Sequence, residues 1–170
     1  MKMLFGGLIA AIALLHGPTA VQNRTMPELS LRIVEASPSG TVTVAIANTS
    51  QKPIRICRES NSWGAAHWRV LLIRNGRLQT FFENPDQAFT RNIPTFNEIT
   101  PGSDVELKLD LSAETWRGTE GRTVRFEHGD TVVVVYDVPK SYGWAGAAVT
   151  LEASKMGIWY GVATALITVQ

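Results

Sequence analysis

From residue 29 onward, apolar side chains recur at every second position. Leu29, Leu31 and Ile33 alternate with Ser30 and Arg32, and Val42, Val44 and Ile46 alternate with Thr41, Thr43 and Ala45. A period of two puts successive side chains on opposite sides of an extended chain, so each run predicts a strand with one buried face. Ser37-Pro38-Ser39-Gly40 between them is a turn cluster, and the two runs are expected to form a hairpin. Pro53-Ile54-Arg55-Ile56 starts a third strand, with Pro at the first position, where it removes no ladder donor. A loop over residues 59–66 follows. Trp68, Val70 and Leu72 then lead into Arg74-Asn75-Gly76-Arg77 and back through Leu78 to Phe82. Asn-Gly between two β-forming runs is the strongest short hairpin signal, because both central residues of that turn need positive φ.

Residues 84–98 lack periodicity and read as a long connection closed by the Pro101-Gly102 turn. Val105, Leu107, Leu109 and Leu111 alternate with Asp104, Glu106, Lys108 and Asp110, which predicts a strand with one solvated face. Ser112-Ala113-Glu114-Thr115-Trp116 fits a single helical turn. Residues 130–138 are Val-rich on both sides and predict a central strand covered on both faces. Ala147, Val149 and Leu151 alternate again, and residues 157–169 form a last apolar run in which Gly161 marks a bend or bulge.

These runs amount to about nine strands, with no long amphipathic helix and no internal repeat. A parallel α/β sheet would need crossover helices. The pattern therefore predicts an all-β fold, an immunoglobulin-like sandwich of about nine antiparallel strands, with a jelly roll or closed barrel as the alternative.

The first twenty residues are of another kind. Lys2 gives a positive start, residues 4–15 carry no charge, and Gly17-Pro18-Thr19-Ala20 is a small-residue, helix-breaking end. This is the pattern of a secretory signal peptide over residues 1–20, with the domain occupying 21–170. Twelve apolar residues in a helix span only about 18 Å, short of the roughly 30 Å of a bilayer core, so no membrane span is expected after cleavage. The expected location is exported, periplasmic or extracellular. The whole chain has 16 Lys and Arg against 15 Asp and Glu. Removing Lys2 balances them, which argues against nucleic acid as a partner. Cys57 is the single cysteine. It forbids an intramolecular disulfide, and in a strand it reads as a small buried hydrophobe.

Catalytic candidates are sparse. His67 is followed by Trp68 and His128 by Gly129, so no His-Glu-x-x-His pair is present to hold zinc, and neither a metal nor a cofactor is expected. His128-Gly129-Asp130 has the elements of a carboxylate-oriented general base, although a polar triplet ahead of a strand is first a turn. Asn23-Arg24-Thr25 and Asn48-Thr49-Ser50 match the glycosylation acceptor pattern. The aromatic loops carry more: Trp63 in Ser62-Trp63-Gly64, and Tyr142 and Trp144 in Ser141-Tyr142-Gly143-Trp144, sit among small turn residues with no periodic reason to point inward. Large rings with a polar tip are interface residues by chemistry.

Asn48 with Pro53-Ile54-Arg55-Ile56, Ser60-Asn61-Ser62-Trp63-Gly64, Ile99-Thr100-Pro101-Gly102, Leu109-Asp110-Leu111-Ser112, Tyr136-Asp137-Val138-Pro139 and Gly157-Ile158-Trp159 together resemble small exported bacterial proteins with one immunoglobulin-like domain. The Pro-Gly turn, Leu-Asp-Leu-Ser and Tyr-x-Val pattern is also similar to β-sandwich segments beside deuterolysin-type zinc proteases. The resemblance implies a fold and an exported location, and carries over no catalytic residue. The expected function is a noncatalytic binding domain whose partner is a protein or, less readily, a glycan, met by Trp63, Tyr142 and Trp144. The alternative is an extracytoplasmic protease inhibitor presenting Arg91-Asn92-Ile93-Pro94, and the third reading is a hydrolase built on His128 and Asp130.

Overall fold

Alternation becomes structure most directly in Asp104–Asp110, where Leu107 and Leu109 turn inward and Asp104, Glu106, Lys108 and Asp110 turn to water. The computed structural model describes residues 28–58, 62–84, 95–111, 116–118, 124–143 and 150–170. Within them the strands are β1 Leu29–Ala36, β2 Thr41–Asn48, β3 Ile54–Cys57, β4 Trp68–Arg74, β5 Arg77–Glu83, β6 Phe96–Ile99, β7 Asp104–Asp110, β8 Trp116–Gly118, β9 Thr131–Val138, β10 Ser141–Gly143, β11 Thr150–Glu152 and β12 Gly161–Thr168. A one-turn helix α1, Ser62–Ala65, lies between β3 and β4, and a 3₁₀ turn, Ala153–Met156, follows β11.

All strand pairs are antiparallel, and the sheets form a sandwich that does not close into a barrel. One sheet has the order β1-β2-β7, the other β12-β9-β4-β5-β8. The β3-β6 ribbon continues the β2-β7 pair past a break at Asn48, whose backbone N–H donates to the Ser103 carbonyl and whose carbonyl accepts from Gly102 N–H. β10 and β11 make a separate short ribbon. The two larger sheets meet at one side, where β1 lies beside β12.

The core lies between the sheets. Val42, Val44, Ile46, Leu107 and Leu109 face Trp68, Val70, Leu72, Val132, Val134 and Tyr136, and all are buried. Cys57 is buried in the same core, the role its sequence context assigns. The β4-β5 hairpin turns at Asn75 and Gly76, with φ of 50° and 73°, so the Asn-Gly signal is realised as two left-handed residues closing the Arg74 and Arg77 pair.

Five expectations need correction. β2, expected to have one buried face, is buried on both, with Thr43 and Ala45 covered as well as Val42, Val44 and Ile46. The long connection over residues 84–98 ends in β6, and Trp116 belongs to β8 rather than to a helical turn. Part of the loop expected over residues 59–66 is α1. β9 is central in its sheet, between β12 and β4, yet it is not covered on both faces: Val132, Val134, Tyr136 and Val138 are buried while Val133 and Val135 are half-exposed. Valine suits the pleated backbone whether or not its face is covered, so composition overstates burial here. The expected signal segment, residues 1–20, lies outside the described residues, among which no helix is long and apolar enough to cross a membrane.

Candidate functional site

The residues singled out as aromatic contacts are divided between two elements. Trp63 falls in α1 and Tyr142 in β10, and the rings of both, like the whole of Trp144, lie outside the described part of the structure. Arg91-Asn92-Ile93-Pro94 and Asn23 also lie outside it.

The described residues build a different site, an open cleft of about 530 Å³ where three connections meet. One wall is Glu28, ahead of β1; the next is Ser50, Gln51, Lys52 and Pro53, between β2 and β3, with Ile54 at the start of β3; the third is residues 157–160, leading into β12. The middle wall is shaped by Asn48, which is only 1% exposed. Its Nδ2 donates to the carbonyls of Lys52 and Ile99, both at 2.8 Å, and its Oδ1 accepts from Ser50 N–H at 2.9 Å. The Ser50 hydroxyl lies 2.7 Å from both Asn48 Oδ1 and the Lys52 carbonyl. One buried amide thus fixes the curve of the loop from both sides. The same geometry overturns the glycosylation reading of Asn48: the nitrogen that would carry the sugar is buried and committed to two carbonyls.

The third wall is held from behind. Ile158 forms a parallel bridge with Arg55, and Trp159 N–H donates to the Arg55 carbonyl at 2.8 Å. The Trp159 indole stacks on Tyr136, with ring centroids 5.9 Å apart and planes at 14°, and Tyr136 in turn lies 4.4 Å from Trp68. A line of rings therefore runs from the core to the cleft. Gly161 completes the support: its φ is 141°, and a Cβ there would lie 3.1 Å from the Trp159 ring. Only glycine lets the chain pass so close in that conformation. Tyr160, next to this fixed indole, is 45% exposed.

Two titratable groups stand at the ends of β4 and β9. His67 precedes β4 and meets Tyr136 edge to face at 6.2 Å. Burial pulls its pKa down to about 4, against the opposing pull of Asp137, so the imidazole is neutral at pH 7. Asp130 precedes β9, and its carboxylate is taken up by Arg74: Nε to Oδ1 at 2.8 Å and a terminal nitrogen to Oδ2 at 2.6 Å. Glu127 N–H donates to the same Oδ2 at 2.7 Å, and Arg74 also reaches Glu127 Oε1 at 2.8 Å. The guanidinium holds the Asp130 carboxyl below the usual range. His128-Gly129-Asp130 is thus the turn ahead of β9, with an exposed imidazole and a carboxylate committed to Arg74. Among the described residues, no three His, Cys, Asp or Glu side chains gather as a metal site would require.

The cleft combines ring surface on Trp159 and Tyr160, apolar surface on Pro53 and Ile54, and one charge of each sign on Lys52 and Glu28. Its volume is within the range usual for ligand pockets. Sequence reading missed it because residues 157–169 read as one apolar run bent or bulged at Gly161, whereas β12 begins only there. The available signal was the pair Gly157 and Gly161 enclosing Ile158-Trp159-Tyr160: both glycines have positive φ, and β12 begins only at the second. No protein-family model, curated protein or solved structure matches this chain.

Proposed function

We propose that the protein is a noncatalytic, exported binding domain that takes a polypeptide segment in the cleft between Lys52 and Tyr160. The observation that carries this reading is the cleft itself, with an indole braced against the core, an exposed phenol beside it, and flanking charges of opposite sign. An extended peptide matches these features in kind: apolar side chains for Pro53, Ile54 and the rings, and charged groups for Glu28 and Lys52. The export element rests on residues 1–20 and on the resemblance to exported immunoglobulin-like proteins.

A peptide array and a glycan array, each probed with wild type and Tyr160→Ala, test the reading. The expected result is binding to a subset of peptides, weakened at least about tenfold by Tyr160→Ala, as suits an exposed aromatic at the centre of a contact. Peptide binding indifferent to Tyr160→Ala, or binding confined to glycans, would overturn it.

A further inference from the structure

The outward face of the five-stranded sheet is apolar where a solvated face is ordinarily polar. Strand register brings Leu166 of β12, Val133 of β9, Leu71 of β4 and Thr80 of β5 into one row across the sheet. The next row is Thr168, Thr131, Ile73 and Leu78. Leu166 is 65% exposed, Val162 62% and Leu78 60%. Among the outward side chains of these four strands the only charges are Arg69 and Asp137, one of each sign and 3.2 Å apart, and Arg117 of the edge strand β8, opposite Phe82, adds a cation at the margin.

We infer that this face is the interface of a homodimer, two copies packing the outer faces of β12, β9, β4 and β5 against each other. Charge and area both favour a second copy as occupant. The Arg69 and Asp137 pair at the middle of the face is complementary to itself, since a two-fold axis can set Arg69 of each copy near Asp137 of the other. A formal net charge of +1 on the whole chain gives copies little mutual repulsion. With strands about 4.8 Å apart and a rise of about 3.4 Å per residue, four strands over seven residues present roughly 450 Å² in projection on each copy. Side chains standing off the sheet raise the accessible area of the two copies together to the lower end of the approximately 1,200 to 2,000 Å² that specific interfaces bury. Face-to-face sheets settle about 10 Å apart with aligned strands, which the β-branched rows here permit. The inference is independent of the cleft, which belongs to the connections and not to this face.

Sedimentation velocity of the purified protein from about 1 to 100 µM tests it, in the range expected for an interface of this size. The expected result is a reversible monomer to dimer transition, with the dissociation constant raised at least about tenfold by Leu166→Lys and by Leu78→Lys, each checked for native circular dichroism. The two positions lie on different strands and both are solvent-exposed, so failure of one to fold leaves the other as the test. Lys108→Ala, on the other sheet, should leave the transition unchanged. A monomer throughout, a dimer unaffected by both lysine variants, or a monomer that binds neutral lipid vesicles through this face would overturn the inference.

Discussion

The two sheets show opposite outer faces. β1 and β7 present Arg32, Glu35, Asp104, Glu106, Lys108 and Asp110 to water on either side of the buried β2, whereas β12, β9, β4 and β5 present Val162, Leu166, Val133, Leu71, Ile73 and Leu78. Both sheets bury their inner faces in one core, so the difference is not one of stability inside the fold. A charged outer face keeps a sheet soluble and discourages edge-to-edge pairing. An apolar outer face of comparable extent costs solubility unless something covers it. Alternation says which residues point in; what the outward residues meet is decided by their own chemistry.

The comparison is broken most severely from the inside. Leu107→Ala should destabilise by about 2 to 5 kcal/mol through lost transfer energy and a residual cavity, while Lys108→Ala, its outward neighbour, should change stability by less than about 0.5 kcal/mol. Equal effects of the two in urea unfolding would mean that β7 does not alternate as described.

Next comes the pairing at the end of the apolar sheet. Arg74→Ala leaves the buried Asp130 carboxylate without its guanidinium, and should cost about 3 kcal/mol, reduced from a fully buried pair because Arg74 is one-third exposed. Chemical denaturation that finds less than about 1 kcal/mol would show that water replaces the guanidinium freely.

How much of this was readable in sequence depends on element length. The alternation in β1 and β7 and the Asn75-Gly76 turn emerged intact, because seven or eight residues are enough to display a period and Asn-Gly has one preferred hairpin geometry, whereas β2 keeps the strand but buries Thr43 and Ala45 on the face expected to be solvated. β6, β8 and β10 have four residues or fewer, too short to show a period at all. The cleft was hidden for another reason: Trp159 and Tyr160 continue an apolar run, and only the backbone angles at Gly157 and Gly161 reveal that the chain has not yet entered β12. The uncovered side of β9 was illegible because valine reports strand propensity as readily as burial.

A smaller effect follows from pH. The apolar sheet keeps its titratable groups at its ends, with His67 facing Asp137 and Arg69. The folded imidazole has its pKa lowered from 6.5 to about 4, so between these values the unfolded chain binds the proton more tightly. Stability is therefore unaffected by His67 above about pH 7 and falls as pH drops through 6.5 toward 4, by at most roughly 3 kcal/mol. Asp130, its carboxyl held low by Arg74, adds a further loss as pH falls below the ordinary carboxylate range. Urea midpoints taken from pH 7 to pH 4 for wild type and His67→Gln should separate this loss, which the variant lacks; identical slopes would remove His67 as its source.

The outer-face contrast is tested most directly by the dependence of the thermal midpoint on protein concentration. If the outer face of β12, β9, β4 and β5 is covered by a second copy, the midpoint of wild type should rise by about 3 to 6 °C between about 1 and 100 µM, because association draws on the folded form alone. Leu166→Lys should flatten that rise while leaving the midpoint at the lowest concentration nearly unchanged. A wild-type midpoint independent of concentration, or a rise that Leu166→Lys leaves intact, would contradict the assignment of the apolar face.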